Sequence, residues 1–149
     1  MNSPKPSLVD FDGDGLTDLM LGETRGKVSY LRNTGTASAP IWTPISGRIG
    51  GVDTRTWHRF CDIDDDGDFD LFCDAGNLMT AYYRNETVGS NIIFNLIKDE
   101  FGGFATGINN TGDFVDLDAD SDVDFFLGDV IGQLVWYRDI TGDVVCQID

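Results

Sequence analysis

Three short segments concentrate the carboxylates of this chain. They read Asp10-Phe-Asp-Gly-Asp-Gly-Leu-Thr-Asp18, Asp62-Ile-Asp-Asp-Asp-Gly-Asp-Phe-Asp70 and Asp116-Leu-Asp-Ala-Asp-Ser-Asp-Val-Asp124, and together they hold more than half of the 26 acidic residues. Acids placed only for solubility are dispersed over a surface. Four carboxylates within nine residues repel one another unless a cation lies between them. The shared pattern, Asp-x-Asp-x-Asp-Gly-x-x-Asp, suits calcium, which takes about 6–8 oxygen ligands at about 2.3–2.6 Å. In the first loop the expected ligands are the carboxylates of Asp10, Asp12, Asp14 and Asp18 and the backbone carbonyl of Leu16. The second loop offers Asp62, Asp64, Asp66 and Asp70 with the Asp68 carbonyl, and the third offers Asp116, Asp118, Asp120 and Asp124 with the Asp122 carbonyl. Gly15 and Gly67 permit a left-handed backbone at the sharp reversal. Ser121 replaces glycine in the third loop at a cost of roughly 1 kcal/mol, so that site is expected to be the weakest. Asp and Gly also favour plain polar turns, but three copies in one register weigh for a cation. The loop follows an EF-hand for six positions and then departs, because its closing acid falls at position 9 and position 12 is Leu21, Cys73 or Leu127.

The elements that hold these loops are set by a repeat. The three segments align without gaps, at register steps of 52 and 54 residues. Leu-Arg-Asn at 31–33, Tyr-Arg-Asn at 83–85 and Tyr-Arg-Asp at 137–139 keep that register, and so do Trp42, Phe94 and Ile148. In the second unit, strand one runs from His58 to about Ile63 and the acidic loop follows. Strand two covers 71–74, a turn lies at 75–77, strand three covers 78–84 and strand four 92–97. Short runs of β-formers bounded by Gly, Asn and Asp are strands rather than helices. A four-stranded unit repeating every ~40–50 residues predicts an all-β chain of β-propeller blades, each antiparallel. The 149 residues read as a single partial propeller domain with blades at about 7–47, 57–98 and 111–149. Propellers close with ~4–8 blades. The chain is therefore expected either to pair with itself, a homodimer giving six blades, or to be a fragment of a longer propeller.

Composition narrows the partners. A net charge of −16 argues against nucleic acid and anionic membrane surfaces. No apolar run approaches the length of a transmembrane helix, so no membrane insertion is expected. The N-terminal Met-Asn-Ser-Pro-Lys-Pro lacks an apolar signal region, which leaves a cytoplasmic chain or a piece of a longer secreted one. The three cysteines, Cys61, Cys73 and Cys146, have no metal-ligand spacing. Cys61 and Cys73 align with aliphatic residues and are expected in the core, with a cross-strand disulfide between them left open.

The blade pattern resembles the FG-GAP/VCBS-type repeats of integrin α-chain propellers, many secreted bacterial proteins and a fungal propeller lectin. The resemblance covers nearly the whole chain and rests on Asp-x-Asp-x-Asp-Gly-x-x-Asp-Leu, matched fully at 10–19 and 62–71. The third copy departs at Ser121 and Phe125. The Gly-Ala-Pro triplet of the integrin signature is absent, which favours the VCBS branch. The resemblance implies an extracellular or cell-surface, calcium-stabilised module for adhesion, glycan or protein binding, or scaffolding. The expected function is a non-catalytic, calcium-binding, lectin-like or adhesive domain holding up to three Ca2+. The alternatives are a self-assembling structural unit without a small ligand, or the accessory propeller of a secreted enzyme. No hydrolase, zinc-protease or P-loop motif is present, and His58 is the only histidine. Arg32, Arg84 and Arg138 recur once per blade and are expected to pair with blade acids. Tyr30, Tyr82 and Trp136 align and are expected to pack in the core. Trp57 lies outside the aligned pattern and, with loops 48–57 and 99–111, is the expected place for a glycan site. Asn85-Glu-Thr and Asn109-Asn-Thr are glycosylation sequons.

Overall fold

A computed structural model describes residues 4–23, 26–52, 54, 57–74, 79–101, 111–117, 119, 123–128 and 132–137. Among the described residues the chain is all-β, with a 3-10 turn at Ile49–Gly51. The first sheet is a meander of β1 (Lys5–Val9), β2 (Asp18–Gly22), β3 (Val28–Asn33) and β4 (Trp42–Ser46). The second repeats it with β5 (His58–Cys61), β6 (Asp70–Asp74), β7 (Thr80–Asn85) and β8 (Phe94–Lys98). The third has β9 (Thr111–Val115), β10 (Asp124–Gly128) and β11 (Leu134–Tyr137), and its expected fourth strand lies outside the described residues. Every pairing among the described residues is antiparallel. Even the irregularities repeat: the register shifts between Tyr30 and Leu31 in one sheet, and between Tyr82 and Tyr83 in the next.

The sheets stack as blades do. β1 lies against β5, and β5 against β9, so the first strands of successive sheets are neighbours. Strand side chains alternate between faces, and the middle sheet uses both. Leu71, Cys73 and Ala81 enter one core cluster with Val9, Phe11, Met20, Val28 and Tyr30 of the first sheet. Cys61, Phe72 and Tyr82 enter the other with Phe125, Leu127 and Tyr137 of the third. All five residues of β6 are buried in consequence. Burying a side chain such as Met20 or Phe72, each with no measurable exposure, contributes about 1.5–3 kcal/mol. The hairpins place each acidic loop between the first and second strands of its sheet, at one end of the blade.

Cys61 and Cys73 are both buried and both free. They belong to different clusters, so they point to opposite faces of the middle sheet and cannot form the cross-strand disulfide. Burial pushes both thiols up to about 12. Trp57 is also a core residue. It is only 3% exposed and stacks on Phe125 at 6.2 Å between centroids, joining the second sheet to the third. That burial removes it as a platform for a glycan.

Candidate cation loops

In the first loop the Asp10 carboxylate folds the chain around itself. Its Oδ1 accepts the Asp14 amide at 3.1 Å and its Oδ2 accepts the Gly15 amide at 2.9 Å. The Leu16 amide then donates to Asp14 Oδ1 at 2.9 Å. The second loop repeats all three bonds, from Asp66 and Gly67 to Asp62 and from Asp68 to Asp66. Gly15 and Gly67 take the left-handed backbone expected of them, at φ 84° and 93°. A second left-handed position, not foreseen, falls at Gly13, Asp65 and Ala119.

These turns gather carboxylates. One oxygen from each of Asp10, Asp12 and Asp14 lies within 4.8 Å of the others, and Asp62, Asp64 and Asp66 form the same group. Oxygen donors so placed suit a hard cation. Arg32 already reaches into the first group. Its Nε lies 2.6 Å from Asp12 Oδ2 and an Nη lies 2.8 Å from Asp14 Oδ2. The guanidinium bond, with that of the Leu16 amide, draws the Asp14 carboxyl below its ordinary range. Desolvation raises that of Asp12 in spite of Arg32, helped by Asp18 and Asp14. Arg84 plays the corresponding part at 2.7 Å from Asp64 Oδ2. The recurrent arginine thus pairs with blade acids, and Arg138 lies outside the described residues. In the second loop Asp64 Oδ1 is buried without a hydrogen-bond partner among the described residues. A buried carboxylate oxygen without a donor, inside a group of three, has a lone pair open to a cation.

The closing aspartates do a different job. Asp18, Asp70 and Asp124 open the second strand of each sheet and are almost fully buried. Asp18 Oδ1 accepts the Asn33 amide at 2.7 Å, while its Oδ2 accepts the Tyr30 hydroxyl at 2.9 Å and the Phe11 amide at 3.3 Å. Asp70 accepts the Asn85 amide and the Tyr82 hydroxyl at the same distances, and Asp124 accepts the Leu117 amide at 3.3 Å. Burial pushes the Asp70 carboxyl up to about 6 against these donors, and Asp64 and Asp66 push the same way. Neither Asp18 nor Asp70 is among the gathered groups. Their partners, Tyr30 and Tyr82, were expected only as packing; the hydroxyl on two aligned rings was the signal for this network. In the third loop Asp116 is exposed, and Asp118, Asp120 and Asp122 lie outside the described residues.

A cleft of about 570 Å³ opens between the first two loops, lined by Asp10, Asp12, Arg32, Asp68, Asn85 and Ser90 among others. The Asn85 sequon is closed to glycosylation in the folded chain. Asn85 is 4% exposed, its Oδ1 accepts the Thr87 amide and its Nδ2 donates to the Phe69 carbonyl. The Asn109 sequon lies partly outside the described residues. Among the described residues no helix is long and apolar enough to cross a membrane.

Neither the curated proteins nor the solved structures contain a match to the chain. A family model described as FG-GAP-like repeat matches residues 10–73. That span runs from the first acidic loop, across the first sheet, to β6 beyond the second loop, so this part of the chain is similar to an FG-GAP-like repeat, in keeping with an all-β chain of blades.

Proposed function

We propose that this chain is a non-catalytic, calcium-binding propeller module of the extracellular space, and that it binds a glycan or an extracellular protein. The supporting observation is the recurrent convergence of three carboxylates, with Asp64 Oδ1 buried and unpartnered in one of the two groups. Asp10, Asp12 and Asp14 hold one ion and Asp62, Asp64 and Asp66 another. The Leu16 and Asp68 carbonyls are the remaining donors, while Asp18 and Asp70, engaged by Asn33, Tyr30, Asn85 and Tyr82, anchor the loops from behind. Bound calcium would supply charge neutralisation and cross-link the two strands that flank each loop. The third loop, Asp116 to Asp124, completes a set of three on the same pattern. Arg32 and Arg84 each supply one positive charge against three carboxylates, which leaves the loops anionic. The cleft between the first two loops is the place for a ligand, since it is bounded by both loops and its walls set polar groups beside the apolar Phe11, Ile45 and Ile92. Glycan arrays at millimolar calcium test that part.

Calcium that binds only the folded chain stabilises it as RT ln(1 + [L]/Kd), about 2.7 kcal/mol per site at a hundredfold excess. Thermal melts in millimolar calcium and in chelator should therefore differ by several degrees or more. Asp64→Asn should remove part of the difference. Superimposable melts would end the calcium reading.

A further inference from the structure

Each sheet has a leading face, toward the sheet that follows, and a trailing face, toward the one before. The chain shows what covers each. Leading residues Val9, Phe11, Met20, Val28 and Tyr30 of the first sheet are all 9% exposed or less, packed on trailing residues of the second. The second sheet leads with Cys61, Phe72 and Tyr82 onto Phe125 and Leu127, which trail on the third. At the ends of the stack the same register positions are bare. On the third sheet Val115, Leu117, Leu134 and Trp136 are 46%, 55%, 71% and 46% exposed. They correspond to Val9, Phe11, Val28 and Tyr30. Trp136 lies flat on Phe126, at 6.0 Å and 1° between planes, and the pair forms an apolar shelf. On the first sheet the trailing residue Leu8 is 63% exposed and Leu19, Leu21 and Leu31 are half-buried. Their counterparts Leu71 and Cys73 in the middle sheet have no exposure at all.

One chain thus carries both halves of the interface it uses twice internally. We propose that the leading face of the third sheet docks on the trailing face of the first sheet in a second copy of this chain, and reciprocally. The occupant is set by register. A leading face of aromatic and branched residues is met, in both internal junctions, by a trailing face of the same repeat, and the first sheet holds the free one. Two copies give six sheets, within the ~4–8 that close a propeller, and a single twofold axis relates both new junctions. Apolar patches of this kind, beyond a few hundred Å², mark interaction sites. The proposal does not depend on calcium.

Native mass spectrometry and light scattering on the 149-residue chain should give a particle of about twice 16.4 kDa. Leu8→Asp and Leu134→Asp change exposed side chains, so each variant should keep its β-sheet circular dichroism yet run as a monomer. Mixing the two variants should restore a heterodimer, because one undamaged leading face then meets one undamaged trailing face. A monomeric wild type would overturn the proposal, as would a dimer indifferent to either variant. Failure of the mixture to associate would overturn it equally, and a dimer lost in one variant alone would show that a face pairs with itself.

Discussion

His58 gives the folded chain a pH dependence of its own. It opens β5 across from Cys73, is 1% exposed, and neither ring nitrogen has a hydrogen-bond partner among the described residues. The ring sits so close to the first sheet that a Cβ on Gly22 would fall 2.6 Å from its Nδ1. Burial, with Arg59 adding to it, holds the imidazole down to about 4. The unfolded chain takes up a proton from about pH 6.5 downward, whereas the folded chain refuses it until about 4. The stability held by neutral His58 is therefore complete above the unfolded value and is lost as pH falls through that window, to a total of about 3 kcal/mol. His58→Phe should lose about 2–3 kcal/mol less than the wild type between pH 7 and 4.5, read from urea denaturation at both pH values. Equal losses would place the proton elsewhere. A sequence holding Pro6 and Gly112 at the matching positions gave no hint that this histidine would be buried between sheets.

The acidic hairpin shows how far sequence reaches at the scale of an element. Register steps of 52 and 54 residues located the three sheets, and the observed β6, β7 and β8 lie within a residue or two of the expected runs, because strand length and turn residues are local. The gathering of Asp10, Asp12 and Asp14 was legible for the same reason. The burial of Asp18 was not: alternation puts it on the face of Met20, and only the neighbouring sheet turns that face into core. Trp57 escaped because nothing repeats it. The second left-handed position was visible at Gly13 alone, since Asp65 and Ala119 hide it. An alanine there costs about 1–2 kcal/mol relative to an unstrained backbone. Ala119→Gly should raise stability by about 1 kcal/mol and Gly13→Ala lower it by about as much. A Cβ on Gly13 would meet nothing within 4 Å, so the second change tests conformation without a clash. Thermal melts of the two variants that moved in the same direction would contradict the argument.

At the scale of the whole molecule the sheets form a short stack in which the middle one touches both others, the arrangement in which stability is a sum of units and junctions. The two middle-sheet thiols lie back to back, Cys73 in the first junction and Cys61 in the second. Each is therefore a reporter for one junction. A disulfide reagent cannot reach either while both junctions hold, and a thiol held up to about 12 is scarcely ionised at neutral pH even when brushed by solvent. With Cys146 replaced by serine, single-cysteine chains should be modified at rates set by parting of their own junction. If the stack opens one joint at a time, the Cys61 and Cys73 rates will differ and respond separately, Cys73 accelerating with Met20→Ala and Cys61 with Phe125→Ala. If both variants speed both cysteines equally, the three sheets come apart in one event, and the stack is a single cooperative body rather than a jointed one.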